Sequence, residues 1–107
     1  MHHYYFETLA AVRKVEKKHQ LDQLDLPARA ILEFIGISEA EGRVLNITDI
    51  VQQSGIGTPP TVYKYLADLE RAGWVRCRAN KADRRQKLVS LTAKAQNAFF
   101  RMGVVLQ

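Results

Sequence analysis

The chain has 107 residues, 47% of them apolar, which is enough to bury one small core without disulfides. A single cysteine excludes an internal disulfide, and no apolar run is long enough for a signal peptide or membrane span. Three histidines with one thiol offer no zinc spacing, so the expectation is a soluble cytoplasmic protein forming one domain over residues 1–107, with no metal or cofactor and a net charge of +5 that favours an anionic partner.

Residues 3–19 lack Gly and Pro and set Tyr5, Leu9, Val12 and Val15 along one side, which predicts an amphipathic helix. Its first turn, with Tyr4, Tyr5 and Phe6, is aromatic and suits core packing, a subunit interface, or both. Leu21, Leu24 and Leu26 suggest a packed connection. Asp25 and Pro27 then open a second helix bearing Ala28, Ile31, Leu32 and Ile35, with Gly36 and Gly42 as candidate ends. Leu45, Asn46 and Ile47 read as a very short strand, and Thr48 with Asp49 as the cap and first-turn negative charge of a third helix through about Gln53. Gly55 and Gly57 supply the unusual backbone angles for a sharp turn into the next helix.

That fourth helix opens with Thr58, whose hydroxyl suits a cap, and Pro59, whose missing N–H and fixed φ suit the first helical position. Val62, Tyr65, Leu66 and Leu69 form its buried stripe, while Thr61, Lys64, Asp68 and Arg71 fall elsewhere. Gly73 marks its end near Ala72. From Trp74 to Arg78 the pattern alternates like a strand, with Cys77 as a small core residue, and Lys87 to Leu91 returns with Val89 and Leu91 on one face. Thr92 caps a last helix carrying Ala95, Phe99, Met102 and Leu106, with Phe100 and Val104 on an adjoining face. So broad an apolar stripe predicts packing against the first helix. It also makes Tyr4, Tyr5, Phe6, Phe99, Phe100 and Val104 candidates for a homodimer interface.

The charge is localised. Residues 1–57 carry six Lys/Arg against eight Asp/Glu, whereas residues 58–107 carry ten against three. Between 76 and 87, Arg76, Arg78, Lys81, Arg84, Arg85 and Lys87 face only Asp83, so the hairpin alone matches the whole excess.

Helix, helix, short strand, helix, tight turn, helix, hairpin, helix is the order of a winged helix-turn-helix with extra N-terminal and C-terminal helices, a mainly α, α+β architecture. The run TVYKYLADLERAGWV, the triplet Asp83-Arg84-Arg85 and the run LVSLT resemble the multiple antibiotic resistance regulator (MarR) family over roughly residues 28–100. That resemblance implies a homodimeric transcription factor on pseudo-palindromic double-stranded DNA, often released by a small-molecule effector, in a bacterial or archaeal cytoplasm at the nucleoid. It places the recognition helix at 58–72 and the basic wing at 78–87. Two departures stand out: the family's further dimerising helix has no counterpart before Gln107, and Pro59-Pro60 opens the recognition helix.

In such a fold the N-terminal residues of the recognition helix meet base edges in the major groove, which selects Thr58, Pro60, Thr61 and Lys64, with Tyr63 reaching the backbone or flanking the core. Arg78, Asn80, Lys81, Arg84 and Arg85 are placed for the minor groove or the phosphates, and Asp83 for orienting an arginine. Gln52, Gln53 and Ser54 are weaker phosphate candidates. An enzyme is the least supported class, because no histidine neighbours a nucleophile motif and GIGTPP lacks the lysine of a nucleotide loop. The alternative is a winged-helix protein–protein interaction module without specific DNA binding, against which the charge of the hairpin argues.

Overall fold

The computed structural model describes residues 4–106; His3, the first residue of the expected N-terminal helix, lies outside them. Five helices and a three-stranded sheet follow one another as α1 (Tyr4–Lys18), a short 3-10 turn (Leu21–Gln23), α2 (Leu26–Ala40), β1 (Leu45–Asn46), α3 (Ile47–Gln53), α4 (Pro59–Arg71), β2 (Val75–Ala79), β3 (Lys87–Leu91) and α5 (Ala93–Val105). This is the expected winged helix order.

Capping explains most of the boundaries. Asp25 starts α2 by accepting the Ala28 N–H at 3.0 Å, and Thr92 starts α5 by accepting the Ala95 N–H at 3.3 Å. For α3 the expected cap, Thr48, is wrong. Asn46 takes the role, receiving the Asp49 N–H at 2.7 Å while the Asp49 carboxylate receives the Asn46 N–H at 3.0 Å. This reciprocal box satisfies two otherwise orphaned donors, which a lone Thr48 hydroxyl inside the first turn cannot do, and it puts Ile47 in the helix rather than the strand. Gly36 does not end α2. The helix continues to Ala40, and at Gly36 it faces Leu91 of β3, whose Cδ1 lies 3.5 Å from where a Cβ would stand, an ordinary contact distance.

The hairpin is wider than expected, because β1 joins it on the far side of β3. Leu45 pairs with Val89 and Asn46 with Leu88, while β2 pairs with β3 from Val75↔Leu91 to Ala79↔Lys87. Beyond the end of β1, the Leu91 N–H donates to Glu39 Oε1 at 2.8 Å; on the outer edge of β2, the Cys77 N–H donates to Glu70 Oε2 at 3.2 Å. Side chains from α2 and α4 thus satisfy backbone donors that the short sheet leaves open.

The core gathers Ile31, Leu32 and Ile35 of α2, Ile50 of α3, Val62, Leu66 and Leu69 of α4, Trp74 just before β2, Val75 and Val89 of the sheet, and Ala95, Ala98 and Met102 of α5. On α5 the expected stripe needs correcting. Ala98 joins it, whereas Leu106 is exposed. Tyr5 was expected on the buried side of α1, but Tyr4, Tyr5 and Phe6 are all 64–71% exposed. Among the described residues Val12 and Val15 of α1 pack against the core, and the aromatic first turn is exposed.

Candidate nucleic-acid interface

Helix α4, the expected recognition helix, is anchored on one side and open on the other. Its buried stripe of Val62, Leu66 and Leu69 packs inward, and Thr58, Pro59, Pro60, Thr61, Tyr63 and Lys64 are exposed. Tyr63 is 49% exposed and leans outward rather than flanking the core. The turn before the helix runs through Gly55 at φ 71° and Gly57 at φ 134°, angles that side chains rarely adopt. Thr58 holds the N-cap position with extended backbone, but its hydroxyl caps no N–H. It lies 3.0 Å from the Thr61 hydroxyl instead, and Pro60 removes one of the two N–H groups that a cap oxygen usually takes. The two hydroxyls therefore present a joined donor–acceptor pair at the solvent-facing start of the helix.

The wing tip is built from two consecutive turns, closed by Asp83 N–H to Asn80 O at 3.2 Å and Gln86 N–H to Asp83 O at 3.0 Å. Asn80 is committed within the loop: its Oδ1 accepts the Ala82 N–H at 3.0 Å and its Nδ2 donates to Gln86 Oε1 at 3.1 Å. It shapes the tip before any ligand arrives. Gln86 was not singled out in the sequence, where nothing but its position across the hairpin from Asn80 marks it.

Asp83 orients an arginine, as expected, and the arginine is Arg85. Its N–H and Nε both donate to Asp83 Oδ1 at 3.1 Å, and Nη2 donates to Oδ2 at 3.3 Å. The Arg85 side chain, then its backbone N–H, hold the Asp83 carboxyl below the usual carboxylate range. Arg78, Lys81, Arg84 and Lys87 are exposed and have no ion-pair partner among the described residues. Burial, then the neighbouring Glu70, push the Cys77 thiol up, so Cys77 stays a neutral packed side chain.

Over residues 24–95 the sequence matches the family described as the winged helix DNA-binding domain. The chain belongs to that family. No curated protein matches it significantly. Among solved structures the winged helix is similar to Staphylococcus aureus MepR in complex with DNA, at 21% identity and TM-score 0.68 over 96% of this chain and 82% of that one. A MarR-like transcription regulator from Bacillus cereus superposes at 16% identity and TM-score 0.63, over 96% and 71% of the two chains. The haem sensor PefR from Streptococcus agalactiae, in complex with haem, does so at 16% and 0.66, over 96% and 67%. These likenesses show a shared MarR-like winged helix fold.

The candidate dimer residues divide into two groups. Tyr4, Tyr5 and Phe6 of α1, and Phe100 and Val104 of α5, face solvent. Phe99 is half-buried under the Arg29 guanidinium, 5.5 Å from its ring centre, and so is engaged within the protomer. An open groove of about 760 Å³ runs between α2 and α5, floored by Leu32, Gly36 and Leu91 and walled by Ile37, Phe100 and Leu106. No helix among the described residues is long and apolar enough to cross a membrane.

Proposed function

We propose that this winged helix is a transcriptional regulator that binds double-stranded DNA sequence-specifically, working as one unit over residues 1–107 in the cytoplasm, at the nucleoid. The observation that carries the proposal is the pairing of an open recognition face, Pro60, Thr61, Tyr63 and Lys64, with a wing whose cations are exposed. Thr61 and Lys64 read base edges, Pro60 packs on a thymine methyl, and Thr58 and Tyr63 reach the backbone. Arg78, Lys81, Arg84 and Arg85 supply affinity through phosphates or a narrow minor groove, on a tip whose shape Asn80 maintains.

The exposed apolar residues of α1 and α5 pair two copies, which sets two recognition helices on a two-fold symmetric site. The α2/α5 groove offers a place for a small-molecule effector, and that a MarR-like neighbour, PefR, is a haem sensor supports an effector of some kind. Titration of a labelled duplex at increasing salt tests the central reading. Binding should weaken steeply as counterion release becomes less favourable, and salt-independent binding would overturn it.

A further inference from the structure

Tyr65 sits on α4 between its buried stripe and its open face, half-buried, and its hydroxyl donates to Asp25 Oδ2 at 3.2 Å. The other oxygen of that carboxylate accepts the Ala28 N–H at 3.0 Å, the bond that starts α2. One carboxylate therefore holds both the beginning of α2 and the middle of the recognition helix. Next to this bond the helices share the apolar core, where Ile31 and Leu32 of α2 and Leu66 and Leu69 of α4 are buried, and a small open depression of about 220 Å³ is lined by Gln23, Leu24, Ala28, Asp68 and Leu69. Apolar contact is not directional, whereas the hydrogen bond at its rim depends on the angle between its partners. Burial, then the bond to Asp25, push the Tyr65 phenol up, so it remains a donor at neutral pH.

Roll of α4 about its own axis matters for base reading. A rotation of roughly 10° carries an atom about 6 Å from the helix axis by about 1 Å, enough to make or lose a hydrogen bond. Thr61 lies one turn before Tyr65 and Lys64 is its neighbour. We propose that Tyr65 and Asp25 are positioning residues for base recognition: their hydrogen bond sets the roll of α4 and with it the placement of Thr61 and Lys64. This rests on the DNA-binding reading above.

The test uses the full chain and Tyr65→Phe, which keeps the ring and removes the hydroxyl. Asp25→Ser is the second variant, since it retains a capping oxygen too short to reach Tyr65. In the free protein, residual dipolar couplings should report a changed orientation of α4 relative to α2 in both variants, with α5 unchanged. Couplings identical to wild type would overturn the proposal whether or not the protein binds DNA. On DNA, the affinity ratio between a selected duplex and a random one should fall about fivefold, the worth of one hydrogen bond, at unchanged salt slope. An unchanged ratio, or an equal loss on both duplexes, would overturn the positioning role. A wild-type protein with no preference among duplexes would instead overturn the sequence-specific reading on which the proposal rests, while the couplings would still decide whether the bond sets the roll of α4.

Discussion

The carboxylate of Glu16, on α1, lies directly against the guanidinium of Arg29, on α2, with 5% and 17% of their side chains exposed. Arg13 adds a second contact to the same carboxylate at 2.9 Å, and Arg29 also lies 3.3 Å from Glu33 and over the Phe99 ring. Arg29 is thus the junction of α1, α2 and α5, and it is one turn from the Asp25 cap that reaches α4. Removing Glu16 takes from the partly buried Arg29 its closest partner and leaves it Glu33 at 3.3 Å. Glu16→Ala should destabilise the fold by about 3–5 kcal/mol in urea unfolding, far more than an exposed pair would give. A loss under about 1 kcal/mol, the range of surface pairs, would show that Arg29 finds water or Glu33 instead.

The same pair predicts a pH dependence. Burial alone would raise the Glu16 pKa, but the hydrogen bonds and charges of Arg29 and Arg13 outweigh it and hold the carboxyl below its ordinary value of 4.5. A depressed carboxyl binds fewer protons folded than unfolded, so its contribution is fully present above 4.5 and is lost as pH falls through the folded value. Thermal unfolding of wild type and Glu16→Gln should therefore differ most near neutral pH, with the gap narrowing on acidification. A gap that is constant with pH would mean that Glu16 is not depressed.

Dimerisation predicts a sedimenting mass near twice 12.2 kDa, and a return to one copy in Phe100→Asp, whose side chain is 66% exposed and contributes nothing to the protomer core. A wild-type monomer at tens of micromolar, about the upper range for a specific interface, would contradict it.

Wing and helix should separate by phenotype. On the proposed reading Arg84, exposed and without an ion-pair partner among the described residues, contacts the phosphate backbone: Arg84→Ala should weaken all duplexes alike and lower the salt slope by about one. Lys64→Ala should cost on the order of 1 kcal/mol or more and alter sequence preference. Equal effects on slope and preference from both would refute the division of labour.

The order of elements was legible because it rests on local signals. Asp25, Pro59, Gly73 and Thr92 mark boundaries through nearest-neighbour chemistry, and the apolar stripes of α2 and α4 follow helical periodicity. What escaped depended on distant parts of the chain. Glu16 is polar on an exposed-looking face until Arg29 arrives from the next helix, and the short strand at Leu45, though legible, gave no sign that it pairs with β3. Thr48 against Asn46 was a local choice misjudged, since the box needs both members of the Asn46–Asp49 pair. In the wing the basic residues were visible, but the internal use of Asn80 and the choice of Arg85 as the partner of Asp83 are set by turn geometry.

Sequence-specific recognition by α4, with the wing beside it, is tested most directly by selection from a random duplex pool. It should enrich a pseudo-palindromic sequence whose half-sites lie about one helical turn, or a multiple of it, apart. A recovered pool as random as the input would contradict it.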